Sequence, residues 1–147
     1  MKVNLYQKIN TIIGLLFLIV LIWLAQRFAN LQNCSLEPAG KVALLNKFYN
    51  NFIDYSFIIC ISSWLLANLL AVQSRSLYYL IMPMLLVIIA TIMMAYFDDS
   101  IFDFVKHNNL STGSFSIAYI LAGIIILVAI VFLEINYFVL HSYFQRQ

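Results

Sequence analysis

Charge is what this chain has least of. Only 10% of its 147 residues are Asp, Glu, Lys or Arg, with eight basic and six acidic side chains and a formal net charge of +2. A soluble globular domain carries about a quarter charged residues, so the composition excludes that class. The charges form no block of either sign, which removes the electrostatic footprint of a nucleic-acid binder. Cysteine is almost as scarce. Cys34 and Cys60 form no CxxC pair and supply neither a zinc site nor a redox motif, and no intramolecular disulfide is expected. Cys34 is placed to cross-link two copies if its loop faces an oxidising compartment. No nucleophile elbow, HExxH, phosphate-binding glycine loop or pair of catalytic acids is present. The expectation is therefore no enzyme, no cofactor and no metal.

Apolar side chains are what remains: 64% of the residues are hydrophobic and the mean hydropathy is +0.94. About 20 apolar residues at ~1.5 Å rise cross a ~30 Å hydrocarbon core. Four runs meet that length, at about 9–26, 53–73, 77–97 and 115–140. The predicted fold is all-α, a single domain over 1–147. It is a polytopic membrane protein, a bundle of four transmembrane helices with short amphipathic segments at the outer face. Its first partner is the lipid bilayer.

The second run organises the reading. Ser56, Cys60, Ser63, Ala67 and Ala71 recur at spacings of four, three, four and four, which puts them on one helical stripe. Small stripes let helix backbones approach closely in lipid, where packing replaces the hydrophobic effect as the associating force. This helix is expected to be the one its neighbours pack on.

The first run follows a short polar lead and lacks a small-residue cleavage site at Leu24 to Arg27, so it reads as a retained span. Between the first two spans, Asn33 to Gly40 is turn-like. Lys41 to Phe52 alternates apolar and polar residues at helical spacing, as a surface helix or an extension of the second span. Gln73 to Ser76 is too short for anything but an antiparallel hairpin. Pro83 is expected to kink the third span. Asp98, Asp99 and Asp103, interspersed with Ile101, Phe102 and Phe104, suggest a short interfacial helix. Ser114 or Ser116 is placed to cap the fourth span.

Four spans put both termini on one side. That side holds Lys2, Lys8, Arg75 and Arg146, against Arg27, Lys41, Lys47 and Lys106 on the other. The basic counts tie. The denser set marks the termini as cytoplasmic, in a plasma or bacterial inner membrane. His107 and His141 then fall on opposite sides, which excludes haem ligation by the pair.

Glu134 is the most informative single residue, a carboxylate inside IIILVAIVFLEINYFVL. A charge in hydrocarbon is costly, so such a residue is expected to face the bundle and find a partner. Lys8, Arg75, Asn68 and Asn136, with Asn10, lie at similar depth, and an intramembrane polar cluster of Glu134 with them is predicted. Asp54, Asp98 and Asp99 make an acidic outer rim, with Asp54 opening and capping the second span. Ala118, Tyr119 and Ala122 are expected to face lipid and meet a partner.

With no catalytic constellation, the first expectation is a non-enzymatic protein acting by helix–helix contact. It would be a homo-oligomer or a small subunit of a larger membrane protein, an immunity-type partner being one form. The alternative is a small oligomeric ion or solute transporter or channel with its polar site around Glu134.

Overall fold

A computed structural model describes residues 5–110 and 118–146. The described residues form four α-helices: α1 (Leu5–Gln32), α2 (Pro38–Ser74), α3 (Ile81–His107) and α4 (Ala118–Gln145), with a 3-10 turn at Leu77–Leu80 leading into α3. The described residues contain no strand. All four helices are long and apolar enough to cross a membrane. The fold is an all-α four-helix bundle.

Chain punctuation accounts for the helix ends. Pro38 sits in the first turn of α2, where a missing N–H costs nothing. At the other end of α2 Arg75 takes the left-handed conformation (φ 53°), and the Ser76 N–H reaches back to the Ala71 carbonyl at 3.2 Å. Asn109 does the same after α3 (φ 54°), with the Leu110 N–H donating to the Val105 carbonyl at 3.1 Å. Both are Schellman-type stops that satisfy orphan carbonyls. Asparagine tolerates that conformation and is a readable signal; arginine is not one.

Lys41 to Phe52 takes the second of its two expected forms and extends α2, whereas Asp98 to Phe104 continues α3 instead of forming a separate interfacial helix. At ~1.5 Å per residue the 37 residues of α2 extend far past a ~30 Å core, so the periodic apolar face is used against α1 and α3 rather than against lipid. The Pro83 kink is also not needed. Pro83 is the third residue of α3, in the first turn, where no intrahelical bond is lost; the irregularity is the 3-10 turn before it. α4 continues through His141 to Gln145. Ser114 and Ser116 lie outside the described residues.

α1, α2 and α3 share the core. The inner face of α1 is Asn10, Gly14, Phe17, Leu21, Leu24 and Phe28, a heptad-like spacing. Gly14 marks a close approach, since a Cβ there would meet the Met82 terminal methyl. Toward the end of the bundle holding the α1 C-terminus the core turns aromatic, with Phe97 as hub: ring centroids lie 4.6 Å from Phe28, 5.1 Å from Phe52 and 5.7 Å from Phe48. Above this cluster Lys41 Nζ donates to the Gln32 carbonyl at 3.4 Å and lies over the Phe104 ring. One lysine thus joins the ends of three helices, with its charge at the negative end of the α1 dipole.

α4 is placed differently. It packs along α3 and reaches α2 through side chains, running parallel to α2. Only 6% of its spanning window is buried, against 39% in α3. At the end of the bundle holding the α1 N-terminus, Leu140 and Phe144 close on Ala67, Ala71 and Leu80.

Candidate functional site

The small stripe of α2 is the inner face of that helix. Ser56, Ser63, Ala67 and Ala71 are buried, and Cys60 is half-buried beside the α4 side. Ser63 Oγ donates to Asn10 Oδ1 at 3.0 Å, a bond between α1 and α2 within the spanning region. Both side chains are buried, so each satisfies a group that would otherwise be orphaned in hydrocarbon. Asn10 had no specific partner in the sequence reading, yet the recurrence from Asn10 through Gly14, Phe17, Leu21, Leu24 and Phe28 carries the signal that turns it inward.

On the opposite flank, Asn136 Nδ2 donates to Asn68 Oδ1 at 2.9 Å, while Asn68 Nδ2 donates to the Trp64 carbonyl at 2.9 Å. One turn away the Trp64 and Phe132 rings meet at 5.6 Å between centroids. These contacts are what tie α4 to α2. Trp64 Nε1 is buried without a hydrogen-bond partner among the described residues. Beside it runs a groove of about 380 Å³ between α2, α3 and α4, lined by Phe57, Cys60, Trp64, Pro83, Val87 and Phe132 among others.

Of the five residues expected around Glu134, one pair comes together. Asn68 and Asn136 pair with each other, and Asn10 faces away from them toward Ser63. Glu134, two residues from Asn136, is turned to the exposed flank of α4; Lys8 is exposed on α1, and Arg75 is exposed in the turn after α2. The cause is helical geometry, since two residues is a little over half a turn and separates an inward from an outward position.

Asp54 is the seventeenth residue of α2, exposed in mid-helix, so it caps nothing. Asp98 and Asp99 are half-buried on α3. No three His, Cys, Asp or Glu among the described residues converge to hold a metal ion. Ala122, expected to face lipid, is buried against the bundle; the side chains of Ala118 and Tyr119 lie outside those described. At the end of the bundle holding the α1 C-terminus an open cleft of about 910 Å³ lies between α1 and α3, bordered by Gln32, Ser100, Asp103 and His107.

By its fold this is a polytopic helical membrane protein. No family model, curated protein or solved structure matches the chain.

Proposed function

We propose that the chain is a non-enzymatic integral membrane protein that works by helix–helix contact within the bilayer. It acts as an oligomer or as a small accessory subunit of a larger membrane protein, of which an immunity-type partner is one form. The membrane is a plasma or bacterial inner membrane, with cytoplasmic termini.

One observation supports this above the others: α4 buries 6% of its spanning window and turns Glu134 outward. A lipid-facing helix needs no ionisable residue, and a carboxylate within such a run is costly until a donor or cation reaches it. A helix attached along one side, with a polar group on its free flank, is suited to a second helix.

The transporter or channel reading is supported by the Asn68–Asn136 pair within the spanning region. That pair satisfies itself and Glu134 points away from it, so a polar route would have to form between copies.

Extraction in mild detergent, followed by native mass measurement with co-purifying proteins identified, tests the proposal. A complex heavier than one copy is expected. A single copy without partners, in several detergents and in bilayer discs, overturns it. Ion flux in vesicles that disappears in Glu134→Ala would move the assignment to the channel reading.

A further inference from the structure

The register of the bundle relates two of its outward charges, Lys8 at the start of α1 and Glu134 in α4. The Ser63–Asn10 bond sets α1 against α2, and α1 runs antiparallel to it, so Lys8 stands opposite about residue 65 of α2. The Asn68–Asn136 bond and the Trp64–Phe132 contact share one offset along parallel helices, which sets Glu134 beside Leu66. Lys8 and Glu134 thus lie at one depth, within about a helical turn of ~5.4 Å. Both are exposed, and no ion pair links them within the chain. Nor can α1 and α4 approach readily, because α1 packs on α2 and α3 while α4 packs on α3.

We infer that the free flank of α4 docks the α1 face of a second copy of this chain, with Glu134 of one copy paired to Lys8 of the next. The inference rests on the helix-contact reading above and names its occupant. Charge complementarity selects a second copy. Two copies inserted in the same orientation hold every residue at the same depth, so the carboxylate and the ammonium meet without sliding or tilting. The pairing also relieves the cost of an outward carboxylate in an apolar run. The contact joins different faces of the two copies, so it repeats head to tail and closes into a ring or extends as a row. Apolar side chains flank both charges: Ile12, Leu15 and Leu16 are exposed on α1, and Leu127, Val131 and Phe138 on α4.

The test uses the full chain with Cys34→Ala and Cys60→Ala, co-expressed as two differently tagged copies, one carrying Lys8→Cys and the other Glu134→Cys. A short membrane-permeant bis-thiol-reactive cross-linker, matched to the span of a Lys–Glu pair, is expected to join the two tags in membranes, and its failure to do so overturns the inference. Charge reversal provides the second arm. Glu134→Lys or Lys8→Glu alone is expected to weaken self-association on the order of tenfold, and the two together in one chain to restore it, with helicity unchanged throughout. Failure of the double reversal to restore association overturns the pairing. A wild-type chain that is single-copy yet bound stoichiometrically to a larger membrane protein overturns this inference while leaving the helix-contact reading in place. A single-copy chain without any partner overturns both.

Discussion

α3 and α4 are nearly equal in length and hydropathy, and their placement in the molecule is opposite. α3 is surrounded by α1, α2 and α4, with Leu86, Ala90, Phe97 and Ile101 buried on one face and Thr91 and Ala95 buried on the opposite side. α4 has Ala122 and Leu140 buried and leaves isoleucines, valines and phenylalanines exposed from Ile120 to Val139. Hydropathy decides that a helix resides in the bilayer. It does not decide which helix the others pack on, because lipid tails are as apolar as leucine. That choice falls to small residues that admit a neighbour, to aromatic rings that interlock, and to polar side chains that find partners. α3 carries Ala90 and Ala95 beside Phe97; α4 lies along α3 and offers the rest of the bundle the Asn136–Asn68 bond, the Phe132–Trp64 contact and the Leu140 closure.

The largest expected difference between the two helices comes from truncating matched aromatics. Phe97→Ala removes the hub of four rings and is expected to destabilise by about 3 kcal/mol, with a clear fall in the thermal unfolding midpoint in detergent. Phe138→Ala, on the exposed face of α4, is expected to stay within ~0.5 kcal/mol of the parent. Equal effects would mean that α4 is as deeply packed as α3.

Overpacking ranks next. Ala67→Leu places a bulky side chain on a fully buried position of α2 and is expected to cost about 1–3 kcal/mol, while Leu65→Ala one face away costs little. Gly14→Leu is expected to behave like Ala67→Leu, because Met82 must leave its seat; thermal unfolding of each variant compares them.

The polar ties give smaller effects. Asn136→Leu breaks the link from α4 to α2 and is expected to cost about 0.6 kcal/mol, up to ~1.7. Its signature is local: Cys60 becomes more reactive toward a membrane-permeant thiol reagent as the groove beside Trp64 opens, while the α1–α3 core unfolds as before. The smallest stability change belongs to Glu134→Gln. With Glu134 outside the bundle, the unfolding midpoint of an isolated copy is expected to shift by less than ~0.5 kcal/mol. A large fall would mean that the carboxylate faces inward after all.

Much of this arrangement can be read from residue order. The four apolar runs mark the helices, and the four–three–four–four recurrence of Ser56, Cys60, Ser63, Ala67 and Ala71 marks the inner face of α2. Periodicity reports a face, and the face of one helix depends on that helix alone. Pairings across helices were less legible. Depth placed Glu134, Lys8, Asn10, Asn68 and Asn136 together, but depth is one coordinate of three. The azimuth of each residue sends Asn10 to Ser63, Asn136 to Asn68, and both charges outward. Asp54 misled for a related reason. A carboxylate at the edge of an apolar run resembles a helix start, and here the helix had begun at Pro38.

Composition and periodicity by themselves determined an all-α bundle of four membrane-length helices, and which stripe of α2 meets its neighbours. Apolar length and the 3.6-residue period are properties of each segment in isolation. Only the tertiary structure decided that α1, α2 and α3 hold the common core while α4 lies along its side. It also decided that the polar stretches after Lys41 and Asp98 prolong helices instead of lying across the membrane face. Those outcomes depend on which surfaces fit. Phe28, Phe48, Phe52 and Phe97 come from three helices far apart in sequence, and their interlocking exists only once the helices are side by side.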